Sequence, residues 1–270
     1  MLGAEVIIFT MGAILFIINL FIGSYLLIRI RKTDLSNIYW LSFYFFFTVI
    51  EYLLRMVYAA GRPSVGVNSI SWIYFIFNLT GHFSLIFFVK YTFYTDRKSS
   101  FSFILISVII TKIFNIVLYA ITDIELSAVL YLSVQGSTTF IISITSFWLS
   151  YASLSAYHKI KRSEISPWVK KRYLIVGISA IFLAAQSFPI ILFPYRASFE
   201  SPLMATITIL IVFLNIIFAV LSLIAWVMPK KIKDYFNRNY SKSEDEDLSE
   251  EELLAQVKLQ LSKGGFNGNN

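Results

Sequence analysis

The chain has 270 residues, of which 57% are hydrophobic and 14% charged, with 26 Phe, a formal net charge of +7 and no cysteine. A soluble domain carries roughly 25% charged residues, and a single water-soluble core cannot enclose this much apolar surface, so lipid is the expected solvent for most of the exterior. The composition excludes disulfides, thiolate metal sites and a cysteine nucleophile, and with only His82 and His158 it disfavours a histidine metal cluster.

A helix needs about 20 mostly apolar residues to cross a bilayer core. The first apolar stretch begins without a basic region and contains Glu5, so it reads as a retained span and not as a cleaved signal. Seven stretches reach the required length, at 5–28, 38–60, 70–94, 101–121, 127–157, 169–194 and 203–228. Basic residues between them alternate strongly. One side holds Arg29, Arg31, Lys32, Arg97, Lys98, the run from Lys159 to Arg172, and Lys230, Lys231, Lys233 and Arg238; the other holds Arg62 and Arg196. Cytoplasmic loops retain positive charge, so the expected fold is an all-α membrane protein, a seven-transmembrane-helix bundle over 1–238 with its N-terminus outside and its C-terminus in the cytoplasm. The basic excess is thereby explained by orientation, and nucleic acid is not an expected partner. Aromatic residues near these boundaries, such as Tyr39, Trp40, Tyr94, Trp148 and Trp226, fit interfacial anchoring.

Beyond the last span, Lys230 to Phe236 makes a short basic amphipathic turn or a stop-transfer flank. Residues 239–270 read as an acidic, mostly disordered cytoplasmic tail. Ser249 and Glu252 form a capping box for a short helix over 249–261, on which Leu253, Leu254, Val257 and Leu261 share one face. At that length fraying is favoured over docking on a partner or on the cationic loops.

Polar groups inside a span are costly and are functional candidates by default. Glu51 and Arg55 are spaced i and i+4 in the second span, on one face where they can pair. Asn78 and His82 lie in the third span, Lys112 and Asn115 in the fourth, and Gln135, Gln186 and Asn215 in the fifth, sixth and seventh, with Asn19 in the first. Two readings compete for this set. One is an outward-facing polar cavity for a small polar or anionic ligand, or for ions; the other is interhelical hydrogen bonding that holds the bundle together. Pro189, close to Gln186, is expected to kink the sixth helix and is a hinge candidate, although such kinks are common without that role. The run Gln135-Gly136-Ser137-Thr138-Thr139 suits close packing better than cavity lining.

Nucleotide-binding, zincin and nucleophile-elbow motifs are absent, so no enzyme, cofactor or metal is expected. The last span, Leu203–Met228, has no lysine for a retinal Schiff base. In plan alone, residues 1–238 with their Trp226-Val227-Met228-Pro229 exit resemble bacterial and archaeal seven-helix sensory modules. The expected function is a receptor-like or sensory protein of the cell membrane, with a cytoplasmic partner surface at 157–172 and 229–261. A small transporter or channel, or a structural membrane subunit, is the alternative.

Overall fold

A computed structural model of the chain describes residues 4–31, 37–61, 67–94, 100–122, 128–163, 165–192, 201–238 and residue 257. The elements are α1 (Ala4–Ile30), α2 (Ile38–Gly61), α3 (Val67–Phe93), α4 (Phe101–Thr122), α5 (Ala128–Ile160), α6 (Pro167–Ala185), α7 (Phe188–Ile191), α8 (Pro202–Val227) and α9 (Lys230–Asn237), with no strand among the described residues. Among the described residues five stretches, Phe9–Ile30, Phe101–Leu118, Ala128–Ile160, Pro167–Ile191 and Pro202–Val227, are long and apolar enough to cross a membrane. The chain is thus an all-helical multi-pass membrane protein. The expected helix over 249–261 lies outside the described residues, apart from Val257.

The principal contacts run from α1 to α2, α3, α5, α6, α8 and back to α1, and α4 packs on α5 and α3. Apolar side chains point outward as well as inward, as lipid requires. Ile17, Phe103, Ile110, Val129 and Phe213 are exposed, and only 28% of the apolar window of α4 is buried. Because lipid is as apolar as leucine, close backbone approach and interhelical hydrogen bonds hold such a bundle. At Gly177 in α6 a Cβ would lie 2.6 Å from Leu154 Cγ, so α5 and α6 meet where only glycine fits. Between α1 and α2, Ser42 donates to the Gly23 carbonyl at 2.8 Å.

The expected sixth span is not one continuous helix. α6 ends at Ala185 and the short α7 follows the break. Pro189 has no N–H to give the carbonyl four residues back, and the chain instead closes a tight turn in which Ser187 N–H donates to Ala184 O at 3.1 Å. Helix α5 satisfies the break: Thr139 Oγ1 donates to the Ser187 carbonyl at 3.0 Å, and the Ser143 and Ser187 hydroxyls pair at 2.8 Å.

The C-terminal ends of α3, α5 and α8 meet cationic side chains. Lys90 Nζ donates to Tyr94 O at 2.9 Å just past α3, and Lys170 Nζ to Ser163 O just past α5. Arg172 Nε reaches Ala225 O of α8 at 3.0 Å, and Arg29 Nη1 reaches Trp226 O at 3.5 Å. Terminal carbonyls carry the negative end of the helix dipole and lack intrahelical partners, so cations belong there. At this basic end Phe88 packs on Trp226, Phe93 on Tyr173 and Tyr94 on Trp148, with ring centroids 5.6, 5.9 and 5.7 Å apart. Trp148 and Trp168, themselves expected as interfacial anchors, are instead buried inside the protein, where their rings pack against other helices.

Candidate functional site

The polar groups on the inner faces of α2, α3 and α4 meet in a line. Asn78 Nδ2 of α3 donates to Glu51 Oε1 of α2 at 2.8 Å, and Lys112 Nζ of α4 donates to Asn78 Oδ1 at 2.9 Å. The amide is therefore oriented by charge, its donor toward the carboxylate and its acceptor toward the ammonium. Lys112 is buried, near the middle of a 22-residue helix, so its charge cannot reach water past either end of α4.

His82 lies one turn beyond Asn78 on α3. Its Nδ1 is 3.0 Å from Thr145 Oγ1 of α5, and Thr145 donates its own proton to Ile141 O at 2.8 Å. Which of the two donates across this contact is set by the ring tautomer. On the far side, Asn215 Nδ2 of α8 donates to Gln186 Oε1 at 2.7 Å and to Ile211 O at 3.2 Å. This pair ties α8 to the residue immediately after α6, at the break.

These groups surround a cavity of about 230 Å³. Glu51, Asn78, His82, Lys112, Gln135, Gln186 and Asn215 all line it, with Thr48 and Thr138 adding hydroxyls. Ile142, Leu183, Ile190 and Ile211 supply an apolar wall. Among the described residues the lining offers one carboxylate, one ammonium, one imidazole and several primary amides beside tyrosine and aliphatic side chains, a set that can hold a small molecule with both polar and apolar parts. The volume is below the roughly 300–1,000 Å³ of drug-sized pockets, which restricts the ligand to few heavy atoms.

Some expected site residues fall elsewhere. Asn115 is buried and accepts from Ser137 Oγ of α5, tying α4 to α5, and it does not line the cavity. Asn19 bonds the Leu15 carbonyl of its own helix at 2.7 Å. The side chain of Arg55 lies outside the described residues. Pro189 sits in the first turn of α7, with its neighbour Ile190 on the cavity wall. The run from Gln135 to Thr139 lines and bonds instead of packing closely: a Cβ at Gly136 would meet nothing within 4 Å, Gln135 and Thr138 face the cavity, and Ser137 and Thr139 bond to neighbouring elements. In the sequence Arg29 and Arg172 stand out only as orientation signals; their buried bonds to the end of α8 depend on which helix ends lie together, which no local pattern encodes.

Among the described residues no group of three His, Cys, Asp or Glu side chains is placed to hold a metal. No family model, curated protein or solved structure matches the chain.

Proposed function

We propose that the protein is a receptor-like seven-span protein of the cell membrane, N-terminus outside and C-terminus in the cytoplasm, that senses a small dipolar ligand in the cavity between α2, α3, α4 and α8. The observation that carries this reading is the convergence of Glu51, Asn78, His82 and Lys112, three of them on neighbouring hydrogen bonds, around space that side chains do not fill. The described lining balances Glu51 against Lys112, which suits a zwitterion or an uncharged dipolar molecule better than a simple anion.

The seven-span count rests on α2 and α3, of 24 and 27 residues, each longer than the roughly 20 needed. Orientation rests on the basic end, where cations are retained in the cytoplasm. The break at Gln186–Ser187 gives the sensor a joint: ligand contact with Gln186 and Ile190 acts on both sides of it. The basic end, 157–172 and 229–261, is the surface for a cytoplasmic protein partner. No catalytic residue or cofactor is assigned.

Ligand-dependent stabilisation tests the reading. The purified protein in lipid nanodiscs is melted with panels of small zwitterions, carboxylates and amines; a ligand at one hundred times its Kd stabilises by about 2.7 kcal/mol. Stabilisation by zwitterions that Lys112→Met abolishes is the expected result. Silence across the panel, together with Lys112-dependent solute or ion flux in liposomes, overturns reception in favour of transport. Because the chain has no cysteine, single cysteines at 34, 62, 124, 164, 198 and 240 read the topology with an impermeant maleimide.

A further inference from the structure

At the basic end, the end of α5, the start of α6 and the α8–α9 turn build an apolar cluster from Ala156, Ile160, Ile165, Trp168, Val169, Tyr173 and Met228. Helix α9 is fixed against it by the Trp168 N–H, which donates to Asn237 Oδ1 at 3.4 Å, and by Ile232 and Phe236, which pack on the cluster. Trp168 carries cations against its ring, Lys233 Nζ at 4.3 Å and the Arg172 guanidinium at 4.9 Å. One further residue completes the cluster. Val257, far along the tail and itself helical, is fully buried in it at 0% exposure.

We propose that the tail segment 249–261 is the built-in occupant of this surface, seated through Val257 between α5, α6 and α9. The sequence pattern agrees with the seat, since Leu253, Leu254, Val257 and Leu261 share one face of a helix. Charge agrees too. Residues 239–270 hold seven acidic and three basic side chains, whereas residues 1–238 hold nine acidic and twenty basic, ten of these between Lys159 and Arg238 other than Arg196. An acidic strand of chain leading to an apolar plug is therefore drawn to a cationic rim around an apolar floor. The chain between Arg238 and Val257 extends to about 60 Å, ample to reach the seat from α9. Short isolated helices fray in water, so the docked face, not the capping box, supplies the ordering. The consequence is competition: any partner that uses this floor has to displace the tail. This inference is independent of what the cavity binds.

The cysteine-free chain permits a direct test in the full-length protein. Val257→Cys is expected to react with a water-soluble maleimide at least about tenfold more slowly than Tyr235→Cys on the exposed face of α9. A second variant, Val257→Cys with Val169→Cys, is expected to form an intramolecular link with a short bifunctional thiol reagent, with the melting temperature of both variants near that of the parent. Equal labelling rates and no link overturn the proposal. A link that appears only between two chains overturns it as well, because the occupant is then a second copy.

Discussion

Around the cavity, α2, α3 and α4 are joined through Glu51, Asn78 and Lys112, each at hydrogen-bonding distance and beside unfilled space. At the basic end, α3, α6 and α8 are joined through Phe88, Phe93, Tyr173 and Trp226, and the polar atoms there are cations spent on helix ends. Directional bonds fix the side chains at set distances and leave a void between them; rings slide until the void is gone. A membrane bundle can therefore keep an open polar site and a tightly packed floor in one set of helices, because the two regions do not rely on the same interaction.

The largest expected effect breaks the cavity side of that contrast. Lys112→Met removes the ammonium that Asn78 connects to Glu51 and is expected to cost about 3 kcal/mol in SDS-unfolding free energy, with Glu51→Gln on top of it recovering part of the loss. Simple additivity of the two substitutions would show that the charges do not communicate through Asn78. At the other end, Arg172→Met removes the bond to Ala225 O and the stack on Trp168, at an expected cost of about 2 kcal/mol by the same measurement. That variant should leave ligand stabilisation untouched, which Lys112→Met should not. Smaller still, Thr139→Val keeps the shape but removes the donor to the Ser187 carbonyl, and a loss of about 1 kcal/mol is expected. If the break is a joint, Thr139→Val also changes the ligand response, whereas a purely structural bond alters stability alone.

Much of the site was legible because charge stands out in an apolar run. Glu51, Asn78, His82 and Lys112 all announce themselves by depth. Depth, however, says nothing about which way a side chain faces around its helix. Asn115 and Asn19 lie as deep as Asn78, and the structure turns one into the α4–α5 seam and the other onto its own backbone. Glycine shows the same limit. Gly136 stands in a conspicuous small and polar run yet faces open space, and Gly177, in an ordinary stretch, marks the tightest approach of α5 and α6. The break in α6 was visible from Pro189, since a missing N–H is a local fact. The burial of Val257 was not, because an amphipathic face does not reveal what covers it.

The arginines that cap α8 also bear on how the bundle is made. Arg29 lies in the last turn of α1 and Arg172 in the second turn of α6, so both are synthesised well before Ala225 and Trp226, whose carbonyls they will meet. Until α8 emerges, these two cations have no such acceptors, and the helices that carry them have no reason to draw together at that end. Arrival of the last helix supplies both acceptors at once and brings α1 and α6 against the same short stretch of backbone. Ring closure is thereby tied to synthesis of α8, and a product truncated before it is expected to leave α1 and α6 without these two shared bonds.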